Sequence, residues 1–260
     1  MKIRDVVAPI EEFAPLALQE HYDNAGLVVG RADDELRGGV LLAVDVTEEV
    51  VREAIDKGCG LIITHHPIIF HPLKRLNSAS VVERCVEEAI RHDIALYACH
   101  TNLDATPGGT SWRVGEILGL SDMRVLASED GVTGFGVVGT LAEPQPLDRV
   151  LAELRRLFGV PVVRHSKPID RLISRVAVCT GSGASLMGDA RVAGCDLYVT
   201  ADLKYNDFFT PDSRFVVADI GHFESEFCAI QILFDVLSKK ITNFALHKSA
   251  LSQNPVHYAL

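Results

Sequence analysis

The sequence predicts an α/β protein made of two duplicated halves, each with a mainly parallel sheet covered by helices. Apolar strand-like runs alternate with amphipathic helix patterns along the chain, an order typical of parallel sheets. Much of the segment 58–64 is also repeated at 194–200, and each copy follows a predicted helix and ends its strand in threonine. Chance similarity between two strand–helix units is the alternative to a duplication.

The first half begins its regular pattern with an apolar run at 40–46, which predicts a buried strand. Thr47 is predicted to cap the next helix, since Glu48 and Glu49 would then lie in the first turn, where the helix dipole favours negative charge. The further predicted elements of this half are a strand at 61–63, a helix at 80–91 and a strand at 94–99. This order of strands and helices predicts parallel pairing, because parallel neighbours need a crossover connection.

The second half is predicted to follow the same scheme. Its predicted strands are at 176–179, 197–199 and 215–217, and its predicted helices are at 184–192 and 223–237. Between the halves, strands are predicted at 131–141 and 160–163, a turn at 142–146 and a helix at 147–158. We therefore predict two domains, residues 1–128 and residues 129–260, which lie side by side or are intertwined.

Composition and charge restrict the class of protein. The 260 residues include 25 Lys and Arg against 35 Asp and Glu, which gives a formal net charge of −10. This charge argues against binding of a nucleic-acid backbone. The amino terminus lacks the apolar core of a signal peptide, and no apolar run approaches the ~18 residues of a membrane span. The six cysteines form no C-x-x-C pair, which favours buried thiols over a zinc-thiolate site or disulfides. We expect a cytoplasmic protein without membrane contact.

Two adjacent histidines, His65 and His66, directly follow the predicted strand at 61–63. Ligands of open α/β sheets bind outside the carboxyl ends of the strands. Neighbouring side chains alternate along a regular strand, but at a bend they can reach two adjacent points, such as two metal ions. Imidazole suits zinc, iron, manganese or nickel. A histidine pair on the surface before a proline turn is the alternative.

Two further pairs share the spacing of a histidine followed four residues later by a carboxylate. They are His100 with Asp104 and His222 with Glu226, and each pair follows an apolar strand. Residues four apart lie on one face of a helix, so both side chains can point to one place. Each pair alone is also compatible with an ordinary helical contact. Three such elements at predicted strand ends favour a metal site.

The runs that carry these residues resemble the Nif-three-like dinuclear-metal family, whose members are commonly labelled GTP cyclohydrolase 1 type 2 homologues. The motif runs are at 22–27, 64–70, 100–105, 181–184, 200–205 and 219–226, so the resemblance covers nearly the whole chain. It implies that two divalent ions are held by His65, His66, Asp104, His222 and Glu226, with Glu226 shared by both. Because both halves supply ligands in this set, we expect the metal site in the cleft between the halves. It also implies that His100 lies beside the metals, where it is our candidate catalytic acid–base group. The family usually has glycine where this chain has Ala201, and often histidine in place of Asn206.

The resemblance implies a metal-dependent hydrolase that acts on a small nucleotide-like or phosphorylated substrate, and a homo-oligomer, namely a hexamer. A non-catalytic metal-binding scaffold or regulatory protein is the alternative function. The segment 181–183 could hold a phosphate through its backbone amides, although a tight structural turn is favoured. Lys204 and Arg164 could neutralise a phosphate, but a solvated surface role is favoured for each.

Overall fold

The structure is a computed structural model that describes residues 1–241 and 244–259. The chain forms two compact units: unit 1 comprises Met1–Thr106 and Ala229–Pro255, and unit 2 comprises Pro107–Cys228 and Val256–Leu260. The change of unit at 106/107 precedes the predicted boundary at 128/129, and the chain later returns to unit 1. The predicted second domain also includes residues 242, 243 and 260, which lie outside the described residues.

The described residues form the following elements. The helices are α1 (Ile3–Phe13), α2 (Glu48–Asp56), α3 (Val81–Arg91), α4 (Thr101–Ala105), α5 (Thr110–Ile117), α6 (Leu147–Phe158), α7 (Met187–Val192), α8 (His222–Glu226) and α9 (Cys228–Lys240). The strands are β1 (Gly26–Val29), β2 (Gly39–Ala43), β3 (Cys59–Thr64), β4 (Ala95–Ala98), β5 (Ser121–Ala127), β6 (Phe135–Gln145), β7 (Arg164–His165), β8 (Ile173–Ser182), β9 (Leu197–Ala201), β10 (Val216–Asp219) and β11 (Leu246–Lys248). None of these helices is long and apolar enough to cross a membrane.

Unit 1 contains a sheet that is mainly parallel, as predicted. Within the described ranges its strand order is β1-β4-β3-β2-β11, and the pairs β4–β3, β3–β2 and β2–β11 are parallel, whereas β1 runs antiparallel to β4. The strands β2, β3 and β4 are buried throughout, because helices cover them. The predicted cap of α2 is confirmed, since the Thr47 side chain accepts a hydrogen bond from the Val50 amide at 3.2 Å.

Unit 2 contains a mixed sheet rather than a mainly parallel one. Over the described chain its strand order is β5-β6-β8-β9-β10-β7. The central pairs β8–β9 and β9–β10 are parallel, but β5–β6, β6–β8 and β10–β7 are antiparallel. The difference arises because β5 and β6 pair as consecutive strands at one edge, and the short β7 closes the other edge.

The sequence repeat corresponds to two similar structural units. Gly58 ends α2 at φ 65° and Gly194 ends α7 at φ 69°, and a buried parallel strand follows each glycine. Both positions need the left-handed backbone conformation that glycine adopts without strain. Each strand carries a buried threonine near its carboxyl end, Thr64 in β3 and Thr200 in β9. The repeated sequence segment therefore forms the same connection from a helix to a strand in both units.

Three elements predicted in the second half of the chain differ from the structure. Residues 160–163 are not a strand, because Pro161 lacks the amide that a ladder needs and Val160 is buried in the core. Residues 142–145 belong to the end of β6 rather than to a turn. The segment predicted as one helix at 223–237 is divided into α8 and α9. Ser225 Oγ donates to the carbonyl of His222, and such bonds from serine to the preceding turn bend helices.

Candidate metal centre

A sharp bend after β3 brings the side chains of His65 and His66 close together. The backbone amides of both residues donate to the carbonyl of Val44, at 3.1 Å and 3.0 Å. Thr64 Oγ1 donates to the carbonyl of His66 at 2.8 Å and holds the bend from the other side. The two imidazole centroids are 4.9 Å apart, although successive side chains of a regular strand would point to opposite faces.

His100 completes a cluster of three imidazoles in unit 1. It precedes α4, and its ring centroid lies 5.3 Å from those of both His65 and His66. One nitrogen from each ring lies within 4.8 Å of the others, so the three side chains could hold a metal ion. Asn102 and Thr106 anchor α4 to the end of α1, because their side chains donate to backbone carbonyls there at 2.7 Å.

The Nδ1 atoms of all three rings contact oxygen atoms. His65 Nδ1 lies 2.8 Å from the carbonyl of Cys99, so it must donate, and its Nε2 atom then carries the lone pair. His66 Nδ1 lies 2.8 Å from a carboxylate oxygen of Asp45. His100 Nδ1 lies at the same distance from Asp23. Carbonyl and carboxylate partners of this kind fix the tautomer and raise the basicity of metal-binding histidines.

Asp23 is a carboxylate shielded from solvent that stays charged. Burial raises the pKa of this carboxyl group, but hydrogen bonds from His100 and from the Thr101 side chain outweigh burial and hold the pKa well below its usual range. The backbone amides of Asn24 and Thr101 also donate to it, at 2.7 Å and 3.1 Å. The charge of Asp23 is therefore fixed directly behind the imidazole of His100.

Asp104 adds a carboxylate to the cluster in unit 1. It lies in α4, four residues after His100, and it is the acidic residue of that short helix. One of its carboxylate oxygens lies 3.6 Å from His65 Nε2, the atom that faces away from Cys99. The side chain of His65 is completely buried, and that of Asp104 is 14% exposed. A carboxylate at this place offers an anionic oxygen beside the imidazole nitrogens.

Unit 2 contains a second cluster, formed by His222 and Glu226 on one face of α8. His222 Nε2 lies 2.9 Å from a carboxylate oxygen of Glu226, and its Nδ1 lies 2.8 Å from Asp202. Burial lowers the pKa of His222, but its contacts with the two carboxylates outweigh burial and raise the pKa to about 9. The Glu226 side chain is 4% exposed, so its carboxylate is almost completely shielded from solvent.

The end of β8 at Gly181 makes room for the side chain of Glu226. A Cβ atom on Gly181 would lie 2.1 Å from Glu226 Oε1, so the carboxylate occupies the space that a side chain would need. The Gly181 amide donates to Ser225 Oγ and the Gly183 amide donates to Thr200 Oγ1. The amides of Gly181 and Gly183 are therefore engaged within the protein, and Gly181 and Ser182 belong to the end of β8 rather than to the expected turn.

Arg164 and Lys204 differ in their surroundings. Arg164 forms an ion pair with Asp219, whose side chain is 5% exposed, and its guanidinium lies 5.5 Å from the centroid of Phe208. Lys204 is exposed, and its backbone amide donates to Asp207. Arg164 therefore balances a buried carboxylate of its own unit.

The structure brings His65, His66, His100 and Asp104 together in unit 1, and His222 and Glu226 together in unit 2. Sequence reasoning missed the three aspartates that contact the histidines, namely Asp23, Asp45 and Asp202. Asp45 and Asp202 each come one or two residues after a buried strand, at the sheet edge where ligands bind, so this signal was available. Asp23 is far from His100 in the sequence and gave no comparable signal.

The departure at Ala201 does not disturb the contact made by its neighbour. Ala201 is the last residue of β9 and is completely buried. Asp202 follows at φ 55° and still places its carboxylate against His222 Nδ1. Alanine at position 201 is therefore compatible with the contact between Asp202 and His222.

Comparisons with known proteins identify one protein family over nearly the whole chain. A family model described as Duf34/NIF3 (NGG1p interacting factor 3) matches residues 1–255. The chain is 35% identical over 231 residues to a protein of Clostridium perfringens named GTP cyclohydrolase 1 type 2 homolog, covering 87% of each chain. It is 32% identical over 252 residues to NIF3-like protein 1 of Drosophila melanogaster, covering 94% of this chain and 85% of that one.

A solved structure agrees with the fold. A hypothetical protein of Staphylococcus aureus superposes with a TM-score of 0.90 at 26% identity, covering 100% of this chain and 99% of that one. A TM-score of this size over the full length indicates the same arrangement of elements. The α/β architecture predicted from the sequence is therefore confirmed.

Proposed function

Because the chain belongs to the Duf34/NIF3 family, we propose that it is a dinuclear metal-dependent hydrolase acting on a small nucleotide-like or phosphorylated substrate. The family membership confirms the resemblance that the motif runs predicted. The observation that carries the proposal is the set of three imidazoles in unit 1, whose Nδ1 atoms all contact carbonyl or carboxylate oxygens. Those contacts fix the tautomer of each ring and leave the Nε2 atoms of His65 and His66 as the nitrogens that would bind a divalent metal.

The donor set fits two divalent ions in its chemistry. His65, His66 and Asp104 would supply ligands from unit 1, and His222 and Glu226 would supply ligands from unit 2. Three imidazoles and two carboxylates suit zinc, iron, manganese or nickel. Glu226 would be shared by both ions, since a carboxylate has two oxygens and an imidazole offers one nitrogen. Bound divalent ions would polarise the substrate and lower the pKa of a water molecule.

His100 would act as the catalytic acid–base group. Its Nδ1 atom contacts the charged carboxylate of Asp23, which favours a proton on Nδ1 and leaves Nε2 to accept a second one. The same carboxylate would stabilise the imidazolium that forms after proton transfer. The side chain of His100 is 18% exposed, so a proton can be exchanged with solvent.

The relatives' label suggests a purine nucleotide as one substrate class, and we propose a hexamer working in the cytoplasm. The test begins with elemental analysis of the purified protein. Two divalent ions per chain are expected, and titration of metal-free protein that saturates at one ion or none would contradict the dinuclear proposal. A metal-dependent screen of nucleotides and phosphoesters then tests catalysis. Two bound ions without turnover of any compound would instead favour a metal-binding scaffold or regulatory protein.

Two variants test how the ions are shared. Glu226→Gln keeps the shape of the side chain but removes the charge that offsets two dications, so the second ion should be lost or greatly weakened. His65→Ala should weaken mainly one ion. His92→Ala is the control, because His92 is an exposed histidine at the end of α3. If Glu226→Gln retains two tightly bound ions, Glu226 is not the shared ligand.

A further inference from the structure

Two exposed aromatic side chains, Tyr22 and Phe70, lie next to the histidine cluster of unit 1; we call them the aromatic pair. Their ring centroids are 6.5 Å apart at an interplanar angle of 60°. The Phe70 ring also lies 6.1 Å from that of His100. Tyr22 is 57% exposed and Phe70 is 37% exposed. A pair of large exposed aromatic rings beside a polar cluster is a common feature of a ligand site.

The aromatic pair is carried by the same segments that position His100. Tyr22 directly precedes Asp23, the carboxylate that contacts His100 Nδ1. Asn24 Nδ2 donates to the carbonyl of Ile69 at 2.6 Å, and this bond joins the segment of Tyr22 to the segment of Phe70. The distance from the aromatic pair to His100 is therefore set by hydrogen bonds between these segments.

We propose that the aromatic pair recognises the substrate of this protein by stacking on a planar heteroaromatic ring of that substrate. The rest of the substrate would extend toward His100. The proposal rests on the proposed hydrolase function and names the class of substrate that the site selects. Aromatic side chains stack on nucleobases of any sequence, since each base has a π-face. The T-shaped contact of Tyr22 with Phe70 leaves ring surface exposed to a ligand.

The ligand we infer is a free small molecule rather than a nucleic acid. The net charge of −10 opposes a long phosphate backbone, whereas a single phosphate group can be offset locally. The ring contacts extend from the aromatic pair to His100, so a ring bound at Phe70 has its substituents within reach of the imidazole cluster. This placement separates recognition of the ring from the chemistry at the histidines.

The test compares two probes that differ by the ring alone, adenosine 5′-monophosphate and ribose 5-phosphate. Calorimetric titration of the purified full chain should give a Kd for the nucleotide that is about tenfold lower than that for the sugar phosphate. Phe70→Leu should raise the Kd of the nucleotide about tenfold and leave that of the sugar phosphate unchanged. Tyr22→Leu is the second variant, and its effect should have the same direction.

The control is Phe209→Leu in unit 2. Phe209 forms a comparable exposed pair with Tyr205, with centroids 5.3 Å apart and exposures of 67% and 77%. Its replacement should leave both Kd values unchanged. Equal binding of the two probes, no binding of the nucleotide, or equal effects of Phe70→Leu and Phe209→Leu would overturn the proposal.

Metal content is measured on the same samples, so that the two proposals can fail separately. A protein that holds two ions and hydrolyses phosphoesters but shows no preference for the ring contradicts only the stacking proposal. A protein that prefers the ring but holds no metal contradicts only the hydrolase proposal. The Kd ratio of the two probes is thus a readout independent of catalysis.

Discussion

The carboxylate of Asp23 holds the imidazole of His100 in one orientation. Asp23 Oδ1 lies 2.8 Å from His100 Nδ1, and the Asp23 side chain is completely shielded from solvent. Its other oxygen accepts hydrogen bonds from the Thr101 backbone and side chain. Both oxygens of this carboxylate thus accept hydrogen bonds. A group that donates at either position would lose some of these bonds.

Asp23→Asn should weaken metal binding without unfolding the protein. The new amide group must face either the Thr101 donors or the donors on His100 and Asn24, so one set of hydrogen bonds is lost. Loss of a hydrogen-bonding partner in the outer shell of a metal site typically costs about 10–100-fold in metal affinity or activity. Titration of metal-free protein with zinc measures the change. Unchanged affinity would show that Asp23 does not support the metal site.

The control for Asp23→Asn is Asp33→Asn in the same unit. Asp33 is an exposed carboxylate that pairs with Lys2 and Arg4. Its replacement removes the same charge from the chain but leaves the neighbourhood of His100 intact. We expect its zinc affinity to match that of the unchanged protein.

Much of the fold could be predicted from the sequence, because the signals were local. The helix at 147–158 was predicted with the bounds that α6 has, since its apolar side chains recur at helical spacing and Gly159 ends it in a left-handed conformation. The cap at Thr47 could likewise be predicted, because its signal lies in the residues directly beside it. The mixed pairing in unit 2 was not predicted, because no strand was predicted at β5 and because the pairs β6–β8 and β10–β7 join segments far apart in the sequence. The break between α8 and α9 lies at Phe227, and helical periodicity does not reveal it.

The candidate site shows the same division. His65, His66 and His100 were found because each lies at the end of an apolar run, which the sequence displays directly. Their carboxylate and carbonyl partners were not found, because these contacts join distant segments: Asp23 is 77 residues from His100. The contact distance between such segments is fixed by the packing of the whole unit. The sequence thus indicates which side chains can bind a metal, but the structure is needed to find what orients them.

Glu53 should make stability depend on pH in the acid range. Burial raises the pKa of Glu53, but hydrogen bonds from Ser249 and from the Ala250 amide outweigh burial and lower the pKa. The ionised form is therefore favoured in the folded state. Its stabilisation is complete above the ordinary pKa of about 4.5 and is lost as the pH falls through the lowered value.

Glu53→Gln should lower the free energy of unfolding by about 1–3 kcal/mol at neutral pH, because a charged acceptor of several hydrogen bonds is removed. The difference from the unchanged protein should shrink as the pH falls below about 4.5. Urea unfolding at several pH values measures it. Glu49→Gln is the control in the same helix, since Glu49 is exposed and should contribute less than about 1 kcal/mol at the helix start. A difference that does not change with pH would contradict the prediction.

The proposed hexamer predicts a mass of six chains in solution. Several large apolar side chains are strongly exposed on the single chain, among them Val192 at 89% and Val132 at 59%. Burial of such side chains between copies would stabilise an assembly. Light scattering at micromolar concentration checks the mass. A stable mass near that of one chain would contradict the proposed hexamer.

Gly181→Ala should displace the carboxylate of Glu226 and thereby weaken metal binding. The added Cβ atom would lie 2.1 Å from Glu226 Oε1, which is closer than any non-bonded contact allows. The carboxylate is the far end of a flexible side chain, so it moves rather than the backbone. Gly181 also has φ 63°, a conformation that costs alanine about 1–2 kcal/mol. The variant should therefore lose both some stability and a large part of its metal affinity.

Gly194→Ala separates these two effects. Gly194 has φ 69°, nearly the same backbone conformation, but an added Cβ atom there meets no heavy atom of the described residues within 4 Å. Gly194→Ala therefore introduces the same backbone strain as Gly181→Ala, but its added Cβ atom does not contact Glu226. Both variants should lower the free energy of unfolding by about 1–2 kcal/mol, since alanine is strained at each position. Gly181→Ala alone should lose metal affinity, as measured by titration with zinc. Equal metal affinity in the two variants would mean that the position of the Glu226 carboxylate does not govern metal binding.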